Sequence, residues 1–189
     1  MEHPALAQLL HWRPVPGFEP SPGVFAPAEG EMADIFGAAW PRFSATDFDL
    51  IRAPIDFLGI NYYTRGVMRD APDSPPLRAK RVPQREHIVT ETGWEVCPDA
   101  LDAVLEWVHA RYGDVPLYIT ENGAAFYDAP HPIDGAVDDP LRVAYYRWHL
   151  RAVRNAIGRG IPVRGYFAWS LLDNFEWSLG YAKRFGIVH

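Results

Sequence analysis

The sequence predicts an α/β chain with parallel strands, and three observations predict it. Apolar runs of strand length stand at residues 55–60, 117–119 and 163–168. Two amphipathic stretches of helical period separate them, one opening at Pro98 and one at Asp139-Pro140. Proline and glycine punctuate the junctions, at Pro54, Gly113, Pro116, Gly123, Gly158 and Gly160. Strand, helix, strand in series is the pattern of βαβ units, whose strands run parallel with right-handed crossovers.

Taken in order, residues 1–30 read as an irregular, proline-rich lead-in to a domain of residues 31–189. Leu6, Leu9 and Leu10 offer the start of a short helix, but Pro14, Pro16, Pro20, Pro22 and Pro27 forbid regular structure after it. Residues 31–39 are expected to form a helical turn or two. Ser44-Ala-Thr-Asp47 resembles a capping box, with aspartate in place of the usual glutamate, opening a short helix toward Ile51. The strand at 55–60 then runs into Asn61-Tyr62-Tyr63-Thr64. From Arg65 to Thr92 the chain is polar and carries Pro72, Pro75, Pro76 and Pro83 without a period. A loop of that length inside a domain is functional or mobile.

Pro98 and Asp99 suit a helix start, and Leu101, Val104, Leu105, Val108 and Tyr112 follow at helical spacing until Gly113. The strand at 117–119 is stopped by Glu121-Asn122-Gly123. After a proline-interrupted loop, the second helix carries a buried stripe of Leu141, Ala144, Tyr145, Trp148, Ala152, Ala156 and Ile157. Trp107 and Trp148 are read as packing residues. The strand at 163–168 delivers residues 169–177 as a loop.

At 189 residues, 48% of them hydrophobic and 22% charged, the chain can bury one sizeable core. A net charge of −6 argues against nucleic acid or an anionic membrane surface as partner. The single cysteine, Cys97, excludes an intrachain disulfide, and the scattered histidines show no metal-ligand spacing. No apolar run is long enough to span a bilayer, and Met1-Glu-His-Pro does not open a signal peptide, so a cytoplasmic location is expected. The seven tryptophans either fill a core or stack on sugar rings, and composition leaves both open.

Each strand ends in polar and aromatic groups: Asn61, Tyr62 and Tyr63; Glu121 and Asn122; Trp169, Asp173, Glu176 and Trp177. Parallel strands bring those ends to one face. Glu121 caps its turn locally or does chemistry. A carboxylate ringed by a phenol, amides and indoles suits carbohydrate chemistry, where it attacks an anomeric carbon or stabilises an oxocarbenium-like charge.

Three ordered motifs carry a family resemblance. Asp56-Phe-Leu-Gly-Ile-Asn-Tyr-Tyr-Thr64, Tyr118-Ile-Thr-Glu-Asn-Gly123, and Gly165-Tyr-Phe-Ala-Trp-Ser-Leu-Leu-Asp-Asn-Phe-Glu-Trp177 with Gly180-Tyr-Ala-Lys-Arg-Phe-Gly186 resemble glycoside hydrolase family 1, the β-glucosidase family. The resemblance covers residues 31–189. It implies a retaining β-glycosidase on a partial (β/α)8 TIM barrel, comprising about strands 6 to 8 with their helices and long βα loops. By motif position Glu121 matches the nucleophile and Tyr63 the phenol that holds it. Asn61 matches a residue near the reacting sugar. Glu176 and Trp177 match a pair that binds the outer glycone hydroxyls, Trp169 an indole beneath the ring, and Phe185 an aromatic of the same subsite. Tyr62 is read as core, and Asp173 and Asn174 as residues that shape their loop.

The departures matter as much. The family's acid/base glutamate lies in a Thr-Asn-Glu-Pro-like motif, and Asn-Glu-Pro does not occur here. The expectation is a C-terminal portion of such an enzyme, lacking the acid/base glutamate and inactive alone. The expected partners are β-glycosides or oligosaccharides, together with the missing N-terminal barrel half; no cofactor or metal is implied. The alternatives are a catalytically inactive fragment and a non-catalytic sugar-binding module.

Overall fold

A computed structural model describes residues 36–40, 44–51, 53–75, 77–84, 86–127 and 137–188. The lead-in expected at 1–30, most of the turn expected at 31–39 and the middle of the loop before the second helix lie outside them. In chain order the elements are α1 (Ala45–Ile51), β1 (Leu58–Asn61), β2 (Met68–Asp70), β3 (Ala79–Arg81), α2 (Pro98–Tyr112), β4 (Leu117–Asn122), α3 (Pro140–Gly158) and β5 (Val163–Ala168), with 3₁₀ turns at Gly37–Ala39 and Trp177–Leu179. They fall into two compact units: Phe57–Arg65, Gln84–His109 and Asp114–His189 form one, and Met1–Asp56, Gly66–Pro83 and Ala110–Gly113 the other.

In the unit containing α1, the capping box is present. The Ser44 amide donates to Asp47 Oδ2 at 2.7 Å, and the Asp47 amide donates to Ser44 Oγ at 3.2 Å. The shorter aspartate therefore closes the box as a glutamate would. Residues 65–92, expected to be loop, contain the antiparallel pair β2–β3, with Met68 opposite Arg81 and Asp70 opposite Ala79. Three-residue strands, exposed along all of β2, carry no apolar alternation by which to recognise them.

The other unit is built on a parallel sheet in the order β1-β4-β5, as the βαβ pattern requires. Two strand bounds differ from expectation. β1 starts later, leaving Ile55 and Phe57 exposed, and β4 continues through Glu121 to Asn122. Leu117 and Ile119 of β4, Leu101 and Leu105 of α2, and Tyr145 and Ala156 of α3 are fully buried. The helix starts behave as read: Asp139 Oδ1 accepts the Arg142 amide at 3.3 Å, with Pro140 in the first turn. The chain leaves α3 through Gly160 at φ +91°, a left-handed conformation that favours glycine.

The buried face of α3 is a correction. It consists of Arg142, Tyr145, His149, Ala152, Val153 and Ala156, while Leu141, Trp148 and Ile157 of the expected stripe are exposed. Trp107 and Trp148, expected to be packed, are 39% and 38% exposed. Hydropathy misses Arg142 because an arginine is buried only when its donors find partners. Here they reach the carbonyls of Ala124 and Arg184 and the Asp139 carboxylate. Tyr62 is core as read, its hydroxyl donating to the Cys97 carbonyl.

Candidate active site

The site is built where β4 departs from regular pairing. Against β1 the partners pass from Ile60–Ile119 to Asn61–Glu121; against β5 they pass from Ile119–Tyr166 to Asn122–Ala168. Both steps give β4 one residue more than its neighbour, which is a β-bulge. Side chains on a regular strand alternate faces with a period of two, so Glu121 would follow Leu117 and Ile119 to the buried face. Past the bulge Asn122 is the fully buried residue, and Glu121 is half-buried on the other side.

There the Tyr63 hydroxyl donates to Glu121 Oε2 at 2.8 Å. Burial pushes the Tyr63 phenol up, and the hydrogen bond to Glu121, its charge and the charge of Glu176 push it further. The phenol thus remains a donor at any working pH. Its ring is fixed from behind: Trp94 lies 5.2 Å from it and Phe185 6.1 Å, centroid to centroid, and those two lie 6.3 Å apart. Phe185 is only 1% exposed, so here it serves as a buried wall.

Trp94 is a site residue that the sequence reading missed. It lies just after the stretch 65–92 taken for loop, and ion pairs at Glu91 and Glu95, on either side of it, hold it in place. Arg65 makes a bidentate bridge to Glu95, both contacts at 2.9 Å and both side chains buried. Lys183 bridges to Glu91 at 2.9 Å, while the Glu91 amide donates to the Ala125 carbonyl. These partners are far apart in sequence, so no local pattern announces them.

Asn61 is exposed, and its Oδ1 accepts the Thr120 hydroxyl at 2.6 Å, which ties the end of β1 to the bulge. Trp169 and Glu176 meet directly: the indole Nε1 donates to Glu176 Oε1 at 3.0 Å, and Asn174 Nδ2 donates to the same oxygen at 2.8 Å. Asp173 shapes its loop as read, accepting from Arg184 Nε at 2.6 Å and from the Gly186 amide at 2.8 Å. Burial alone would raise the Asp173 carboxyl, but those two bonds and the guanidinium charges hold it below its ordinary range. Trp177 is 90% exposed.

The sheet ends therefore gather an aimed carboxylate, a protonated phenol, a second carboxylate braced by an indole and an amide, and exposed aromatic surface. Such a set can engage a neutral polyhydroxylated ring through hydrogen bonds and apolar contact. Among the described residues no cluster of histidine, cysteine or acidic side chains can hold a metal ion, and no helix is long and apolar enough to cross a membrane.

Comparison with known proteins bears on this arrangement. The family model described as Glycosyl hydrolase family 1 matches residues 26–189. A 1,4-beta-D-glucan glucohydrolase of Thermotoga neapolitana is 45% identical over 149 residues, covering 79% of this chain and 34% of that protein. A beta-glucosidase of Agrobacterium sp. is 42% identical over 163 residues, covering 84% of this chain and 35% of its own. Among solved structures, a family 1 b-glucosidase from Thermotoga maritima superposes with a TM-score of 0.71 at 44% identity, over 75% of this chain and 31% of that one. The same species' family 1 glycoside hydrolase, complexed with a cyclophellitol analogue transition state mimic, gives 0.70 at 44% identity, with the same coverage. The chain thus spans about a third of the length of the relatives it matches.

Proposed function

Because the chain belongs to glycosyl hydrolase family 1, we propose that it carries the nucleophile side of a retaining β-glycosidase of the β-glucosidase type. On this reading β1, β4 and β5 are the sixth, seventh and eighth strands of a (β/α)8 barrel, whose chemistry sits at the C-terminal ends of its strands. The observation that carries it is the 2.8 Å hydrogen bond from Tyr63 to Glu121 at that end of the sheet.

Glu121 attacks the anomeric carbon of a β-glycoside, and the C–O bond to the aglycone breaks as the glycosyl-enzyme ester forms. Water then cleaves that ester, and two inversions give net retention. Tyr63 orients the attacking carboxylate and keeps it from swinging toward solvent. Glu176, braced by Trp169 and Asn174, binds the outer hydroxyls of the glycone together with Trp177. Trp169 lies under the ring, Asn61 lies beside the reacting carbon, and Phe185 backs the subsite.

Retention requires a second carboxyl about 5–5.5 Å from the nucleophile, to protonate the leaving oxygen and later to activate water. The acid/base motif absent from these residues comes from the remaining strands of the barrel. General acid help is worth about 10²–10⁴-fold, so the chain by itself turns over ordinary glycosides negligibly.

An activated aryl 2-deoxy-2-fluoroglucoside separates the step that needs no acid from the step that does. Its leaving group departs unaided, so intact-mass and peptide mass spectrometry should find one fluoroglycosyl group, on Glu121 and absent from Glu121→Gln. Tyr63→Phe should slow labelling about 10- to 100-fold, the value of one hydrogen bond to a charged group. Label on another residue refutes the assignment. The alternative is a non-catalytic sugar-binding module, which the bonded Trp169–Glu176 pair favours. It predicts binding heat with glucose or cellobiose in Glu121→Gln that Glu176→Gln removes.

A further inference from the structure

We propose that Asn122 is the positioning residue that sets the direction of Glu121, by holding the extra residue in β4. Glu121 points away from the buried face only because β4 gains one residue on both neighbours within the span 119–122. A bulge leaves the ladder locally unpaired, so it persists where other contacts over-determine it. The Asn122 side chain makes those contacts. Its amide nitrogen donates to the Tyr62 carbonyl at 2.7 Å and to the Tyr145 hydroxyl at 2.8 Å, while its carbonyl oxygen accepts the Tyr166 hydroxyl. One fully buried side chain therefore ties the end of β1, the face of α3 and the middle of β5 to the residue after Glu121.

The chemistry singles out asparagine. The position needs two donors and one acceptor on a short, uncharged planar group. Aspartate has no donor when ionised and would be a buried charge, and leucine fills the space but strands three polar groups. The bulge also receives the Thr120 hydroxyl bond to Asn61, but that pair is exposed and supplies less constraint.

The catalytic meaning of this device rests on Glu121 being the nucleophile, but its geometry does not, and the test reads the geometry. The full chain carries isotope-labelled tyrosine, and the Tyr63 ring carbon bearing the hydroxyl is assigned by its loss in Tyr63→Phe. Glu121→Gln gives the position of that resonance once the charged acceptor is gone. Asn122→Leu is expected to move it most of the way to that position. Tyr166→Phe, which removes one hydroxyl donor and keeps the ring, is expected to move it part of the way. Tyr127→Phe, at an exposed site, should leave it in place. A folded Asn122→Leu chain with an unmoved Tyr63 resonance overturns the proposal. If Asn122→Leu fails to fold, an unmoved resonance in Tyr166→Phe overturns it instead. A Tyr63 resonance indifferent to Glu121→Gln overturns it at the first step. Fluoroglycoside labelling tests the nucleophile separately, so the two readings can fail independently.

Discussion

Around Glu121 the support comes from separate segments, Tyr63 just past β1 with Trp94 and the buried Phe185 behind it, whereas around Glu176 the side-chain partners come from its own loop. Tyr63 is backed by Trp94 and Phe185, and the segment carrying Trp94 is pinned by the buried Arg65–Glu95 bridge. Glu176 is held by Trp169 and Asn174, and the next residue, Trp177, stands 90% exposed. The comparison teaches a division of labour. On the proposed reading, the group that must meet one atom at one angle is held from several segments of the chain, and the groups that grip a ring's periphery are held within one loop.

The largest test of that contrast is Glu95→Ala. It leaves a guanidinium with 6% exposure unpaired, and removing one partner of a buried pair costs about 3–5 kcal/mol. Urea unfolding should show that loss; a loss no larger than that of a loop variant would erase the distinction.

Acid should weaken the framework next. His149 is fully buried against the Tyr145 ring and near that of Tyr62. Burial lowers its pKa from 6.5 to about 4, although its bond with the Tyr145 carbonyl opposes the shift. The unfolded chain takes up the proton first. The stability this residue contributes is therefore complete above pH 6.5 and is lost as pH falls from there toward 4. Its size is roughly 3 kcal/mol. Denaturant midpoints measured across that range should fall, and His149→Phe should flatten the slope.

On the loop side the effects are small for stability and larger for binding. Asn174→Ala should cost about 0.5–1.5 kcal/mol of stability, and Trp177→Ala should stay within about 0.5 kcal/mol. Both should weaken glucose binding in calorimetry. A loop variant that unfolds the chain would show that this side too is framework.

Much of this was legible in the residues. Proline, glycine and helical spacing mark α2, α3 and β5, and Ser44 with Asp47 marks α1. The pairing of Tyr63 with Glu121 follows from the motif resemblance, and the placement of both at one end of a parallel sheet from the βαβ pattern. What was not legible depends on contacts distant in sequence. Arg142 is buried because its donors reach two carbonyls, and those lie 18 and 42 residues away in sequence. Trp94 reaches the Tyr63 ring because the ion pairs of Glu91 and Glu95, on either side of it, hold its segment there. The bulge inverts the period-two rule midway along β4, so alternation alone puts Glu121 on the wrong face. β2 and β3 are too short and too polar to stand out from loop.

Gly123 has a consequence of its own. A methyl group at this position would lie 1.8 Å from the Trp169 carbonyl oxygen, where nothing but hydrogen fits. A scan of every substitution along the chain would find this glycine about as irreplaceable as the acid two places before it, although it moves no proton. Intolerance to replacement near such a site measures crowding as readily as chemistry, and only an assay that follows the bond being broken can tell one from the other.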